Sequence, residues 1–113
     1  MIEVIKNVFQ EELKYDGNVI LKYTIEYPQV AYNKWIISSK IFNEYNKKKA
    51  IALKMLSKGR LYDEAKELYK YNKKNGYPIM CYEIYSKYTV TYNTNNILSL
   101  YIDEYIYQGG PHQ

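Results

Sequence analysis

Histidine and cysteine are almost missing from this chain of 113 residues, which has one of each, His112 and Cys81. A single cysteine makes an internal disulfide impossible. One His and one Cys, without a Cys-x-x-Cys or His-x-x-x-His spacing, cannot close a metal site. Long apolar runs are missing too. Apolar runs such as Val19 to Leu21, Trp35 to Ile37 and Ile97 to Leu98 fall far short of the roughly 20 residues that cross a bilayer. No charged-then-apolar leader opens the chain, which begins Met1-Ile2-Glu3-Val4. There is no internal repeat or low-complexity linker. Phe and Trp are scarce, two and one, against 16 Tyr. That imbalance has two readings. One is the codon bias of an AT-rich genome, which would also enrich Lys, Asn and Ile. The other is a recognition surface, because Tyr gives large contact area for few rotatable bonds.

At 47% hydrophobic and 25% charged, the chain has the makeup of one globular domain with a real core. Two β-like runs, residues 2–15 and 18–27, flank Asp16-Gly17, a strong type I′ hairpin signal. The second run places Val19, Leu21, Tyr23, Ile25 and Tyr27 on one side, and Pro28 is expected to end it. The period then changes. A helix of about residues 31–58 would bury Ile37, Ile41, Tyr45, Ala52 and Met55, with Phe42 and Leu56 beside them, and leave Asn43 and Asn46 wet. Gly59 reads as its cap, with a break there favoured over one kinked helix. A second helix of about residues 61–74 carries Leu61, Ala65, Leu68 and Tyr69 inward. Its acids lie early and its lysines late, as the macrodipole favours. Asn75-Gly76 stops it. Period two returns with Tyr82, Ile84, Tyr88, Val90 and Tyr92 on one face. After the turn Asn93 to Asn96, a last strand sets Leu98, Leu100, Ile102 and Ile106 against Ser99, Tyr101, Asp103, Tyr105 and Tyr107. The fold class is therefore α+β: two antiparallel β-hairpins in ββ-αα-ββ order, forming a sheet covered on one face by one long kinked helix or two helices. The simplest sheet is wholly antiparallel.

Charge is uneven. Asn43 to Gly76 holds ten basic and four acidic residues, a net +6 within a chain of +4, so the remainder, chiefly the hairpins, is net negative. An ordinary wet helical face explains this, and so does attraction to an anionic polymer at the basic helices. Nucleic acid is not favoured, for no helix-turn-helix spacing, zinc finger or RNP-like motif is visible. Catalysis has little material. Cys81 and Ser99 are nucleophiles by type only, with Cys81 expected as a small buried hydrophobe. The adjacent carboxylates Glu11-Glu12, Asp63-Glu64 and Asp103-Glu104 point different ways in regular structure. Gly109-Gly110 follows a strand, but no helix follows to make a phosphate loop. No cofactor is expected.

Tyr88-Thr-Val-Thr-Tyr92, an Asn-rich turn, Asn96-Ile-Leu-Ser-Leu-Tyr101 and Tyr105-Ile-Tyr-Gln-Gly-Gly-Pro-His112 resemble the end of the N-terminal domain shared by PdaC-type peptidoglycan deacetylases and RsiV-type anti-sigma-factor ectodomains. Tyr23 to Pro28 fits the same pattern. Gln108, Pro111 and Gln113 depart from the family's usual threonine, small residue and glycine. The resemblance implies a non-catalytic module of the cell envelope, since the family's deacetylase chemistry sits in a separate C-terminal domain. It also implies an extracellular, membrane-anchored parent. The chain is then expected to be a fragment, without its upstream anchor and downstream second domain. Expected partners are a cell-wall glycan or envelope protein, and the missing second domain or another copy through the last strand. Lysozyme, bound by the anti-sigma ectodomains, is cationic like this chain, which weighs against it. The residues expected to make contact are Tyr101, Tyr105, Tyr107, Gly109, Gly110 and His112. The alternative is a cytosolic basic protein binding nucleic acid through its Lys-rich helices. A hydrolase ranks third, and would need His112 to meet Ser99 or Cys81.

Overall fold

A computed structural model describes residues 1–32 and 34–108. Four strands form one sheet in the order β1 (Val4–Tyr15), β2 (Asn18–Val30), β3 (Tyr82–Asn93) and β4 (Leu98–Tyr107). The helical layer is α1 (Ile36–Leu56), a π-turn (Ser57–Leu61) and α2 (Tyr62–Asn75), running on without a break. The class is α+β, in ββ-α-ββ order. Asp16 and Gly17 both have positive φ, 54° and 79°, as the first turn requires. Gly76 ends the helices at φ 70°. Its N–H and that of Tyr77 reach back to the carbonyls of Lys73 and Asn72, a Schellman cap.

Gly59 does not break the helix. The buried stripe runs Asn46, Ala50, Leu53, Ser57, Leu61, Ala65, Tyr69, Asn72. Between Leu53 and Tyr69 every step is four residues. At 100° per residue each such step drifts about 40° around an α-helix. The π-turn, in which the Tyr62 N–H reaches Ser57 O, widens the helix and absorbs that drift. The 40 residues of Ile36–Asn75 would span about 60 Å at 1.5 Å each, and the molecule is 59 Å long.

An unbroken helix also decides the sheet. It leaves the C-terminal end of β2 and travels back along it, so β3 starts beside the beginning of β2. Leu21 pairs with Tyr82 and Ile25 with Ser86, in parallel. The expected all-antiparallel sheet is corrected to a mixed one, with antiparallel hairpins on either side.

Pro28 does not end the second strand. β3 leaves β2 after Ile25, so beyond it β2 has a sheet neighbour only in β1, where Pro28 faces Lys6. A missing N–H is tolerated on such a one-sided stretch. At the end of β2, α1 takes the place of a strand. The Asn43 side chain accepts from Val30 N at 2.7 Å and donates to Val30 O at 3.0 Å. Asn93 does the same for the N–H and carbonyl of Ile2.

The core comprises Ile20, Leu21, Tyr23, Ile25 and Tyr27 of β2, Tyr82 and Ile84 of β3, and Ala50, Leu53, Leu61, Ala65 and Tyr69 of the helices. Ile20 is the extra residue of a bulge between β1 and β2, and it too is buried. The inward face expected of α1 is reversed. Ile37 is 76% and Ile41 65% exposed, Tyr45, Ala52 and Met55 are exposed as well, and Ser39, Asn46, Ala50 and Leu53 are buried. Buried Asn46 and Ser57 stay satisfied by bonding the carbonyls of Phe42 and Leu53 one turn back. The second helix buries Leu61, Ala65 and Tyr69 as expected.

Candidate functional site

Pairing across the sheet shows which side chains share its outer face, away from the helices. Gln10, Thr24, Tyr85 and Tyr105 form one cross-strand row, and Glu12, Lys22, Glu83 and Tyr107 the next. Lys87 opposes Asp103, and Thr89 opposes Tyr101. Three of the residues read from the sequence therefore lie on one face of one strand, Tyr101, Tyr105 and Tyr107. Tyr101 is 58% and Tyr105 54% exposed. Gly109, Gly110 and His112 lie outside the described residues.

Tyr85 is the member that sequence reading missed. Its ring lies 5.2 Å from that of Tyr105, tilted by 31°. Its period-two position was visible, but pairing with Tyr105 depends on the register of β3 on β4. The phenol donates to Glu83 Oε1 at 3.0 Å, and that bond is the first cause of its raised pKa. Lys22 bridges to the same carboxylate at 3.6 Å, and Glu83 raises the lysine's pKa. The Lys87 ammonium lies 5.7 Å from the Tyr85 ring. Acids and lysines alternate around the rings, so the face has little net charge. It can offer ring faces to stack on and hydroxyls to bond with.

A second concavity lies where the two hairpins diverge. Ile2, Val30, Trp35, Phe42 and Leu98, with Ser38, Ser39 and Asn96, line a cleft of about 330 Å³. The Asn43 and Asn93 clamps hold Val30 and Ile2 in its wall. It could take a small, largely apolar group. Sequence reading did not mark it, because its walls come from four separate segments.

The candidate nucleophiles are far apart. Cys81 precedes β3 at one end of the β3–β4 ribbon, and Ser99 pairs with Tyr92 near the other. Eleven residue steps at roughly 3.3 Å separate those ends. Cys81 is half-buried, with its thiol pKa raised by burial. Among the described residues no group of three His, Cys, Asp or Glu is placed to hold a metal, and no helix is long and apolar enough to cross a membrane.

At the first hairpin's turn, Asp16 Oδ2 accepts from Lys73 Nζ and from the Tyr69 hydroxyl, each at 2.8 Å. The Lys73 bond is the larger cause of a pKa held below the usual 3.8. A depressed folded-state pKa adds stability above the unfolded value, and that stability is lost as pH falls through the folded one. Asp16→Asn keeps a good turn pair in Asn-Gly. The wild type is thus expected to lose more of its urea midpoint than Asp16→Asn as pH falls below about 4. Equal losses would show the pair to be without effect.

Comparison with known families gives one finding. A family model described as Deacetylase PdaC matches residues 14–113. No curated protein matches the chain.

Proposed function

Because the chain belongs to the PdaC deacetylase family, a family tied to the cell envelope, we propose that it is a non-catalytic, extracytoplasmic module that binds wall glycan on the outer face of β3 and β4. The observation that carries this reading is the cluster of Tyr85, Tyr101, Tyr105 and Tyr107 on one side of a two-strand ribbon. A pyranose ring presents C–H groups on its face and hydroxyls at its edge. Tyrosine matches both, with a ring to stack on and a phenol to bond with. The interleaved Lys22, Lys87, Glu83 and Asp103 leave the face near neutral, which suits an uncharged sugar better than a polyanion. Binding without catalysis is supported by the Cys81 thiol, whose pKa burial raises, against the lowered value that a thiolate nucleophile needs. The extracytoplasmic location rests on the family's association with the envelope.

Heteronuclear NMR titration with soluble peptidoglycan fragments tests this reading, with lysozyme in a parallel arm for an envelope-protein partner. Amides of Tyr85, Tyr101 and Tyr105 are expected to shift with the glycan. Tyr105→Ala is expected to weaken binding about tenfold, or ~1.4 kcal/mol. Shifts confined to the helices, or none, would refute the assignment, and shifts of the same face with lysozyme alone would move it to a protein partner.

A further inference from the structure

We propose that the groove between the first hairpin's turn and the C-terminal half of α2 binds a linear polyol phosphodiester. This site is separate from the tyrosine face and stands or falls independently of it. Tyr15, Asp16, Tyr69, Lys70, Lys73 and Lys74 line an open groove of about 430 Å³. Its floor is built. Tyr15 meets Tyr69 edge-on, with centroids 5.5 Å apart. The ammonium groups of Lys66 and Lys70 lie 5.8 and 5.9 Å from the Tyr15 ring, and that of Lys73 lies 5.8 Å from Tyr69. Cation–π attraction gives flexible lysine heads a preferred place.

Charge decides the ligand class. Asp16 is the acid in the groove, and Lys73 already pairs with it. Lys66, Lys70 and Lys74 recur every four residues, about 6 Å apart along the axis. Like charges at that spacing destabilise a helix. Glu67 offsets only Lys70, across 3.5 Å. A strand of phosphates running along α2 would turn this repulsion into attraction, because its charges recur at a comparable step. The ammonium of lysine is a compact point charge that accepts any orientation of a tetrahedral phosphate, whereas arginine's planar fork does not.

The rings decide between polymers. Single-stranded nucleic acid is held by aromatic platforms on which its bases stack. Here Tyr69 is buried and Tyr15 lies beneath two lysines, so neither is a bare platform. A backbone of polyol and phosphate without bases fits the groove better.

The test titrates the ¹⁵N-labelled chain with a synthetic glycerol phosphate oligomer and, in a parallel arm, with an oligothymidylate of equal phosphate number. The glycerol phosphate oligomer is expected to shift the amides of Tyr15, Asp16 and residues 66–76. The log–log salt slope is expected near −2 for three phosphates engaged. The combined variant Lys66→Gln, Lys70→Gln, Lys74→Gln is expected to bind roughly tenfold or more weakly. The combined variant Lys47→Gln, Lys48→Gln, Lys49→Gln removes equal charge from α1 and is expected to bind as wild type. Circular dichroism checks that both are folded. Equal losses in the two variants would show a diffuse field and overturn the site. No shift at low salt would overturn it as well, and equal or tighter binding of the oligothymidylate would overturn the polymer assignment.

Discussion

Ile25→Ala is expected to lower the free energy of unfolding by about 2–5 kcal/mol, the range for truncating a fully buried aliphatic side chain. Ile25 is 1% exposed on the middle of β2, with Phe9 opposite it on β1 and Ser86 opposite it on β3. The helical layer closes over it, so little can move in to fill the space. A domain of this kind has only about 5–15 kcal/mol in total, so the variant is expected to lose a large share of its stability. The urea midpoint is expected to fall with an unchanged m-value. The companion variant is Ile41→Ala. The spacing of Ile37, Ile41 and Tyr45 marks Ile41 as core, but it is exposed on α1. Its loss is expected to cost no more than about 0.5 kcal/mol. Comparable losses in the two variants would mean that the helix buries its other face.

Asn43→Ala is expected to cost about 2–3 kcal/mol, unusually much for a partly buried polar residue. One side chain satisfies both backbone groups of Val30, and an orphaned buried backbone group costs about 1–3 kcal/mol. Asn43→Asp keeps the acceptor but sets a second oxygen against Val30 O, so it is expected to be no better near neutral pH. Hydrogen exchange gives a local readout. The Val30 amide is expected to lose protection in either variant while the Ile25 amide keeps most of its own. An unchanged Val30 amide would mean that water replaces the asparagine without cost.

Much of the fold could be read from the chain because it is local. Asp16-Gly17 and Gly76 act through their own φ angles. The alternation from Leu21 to Tyr27, and again through Tyr82 and Ile84, reports burial of one strand face. The tyrosines of β4 share a side because of the same two-residue period. Tyr85 and the lysine groove could not be read in this way. Tyr85 needs its register with Tyr105, and the groove needs the first turn to meet a helix more than fifty residues later in the chain.

By itself, then, the amino-acid order determined the succession of strands and helices, the two glycine turns at Asp16-Gly17 and Gly76, and which face of β2 is apolar. The tertiary structure decided the rest, beginning with the continuity of the helix. A glycine at position 59 can cap a helix or lie within a π-turn, and the choice is made by packing of Leu53, Ser57, Leu61 and Ala65 along one stripe of the sheet. From continuity follows the direction of β3, because one long helix returns the chain to the start of β2 while two antiparallel helices would not. The face of α1 was decided in the same way. Periodicity marks an apolar stripe but not what it meets, and the narrow space over β2 admits Ala50 and Ser57 where Ile37 and Ile41 are left outside.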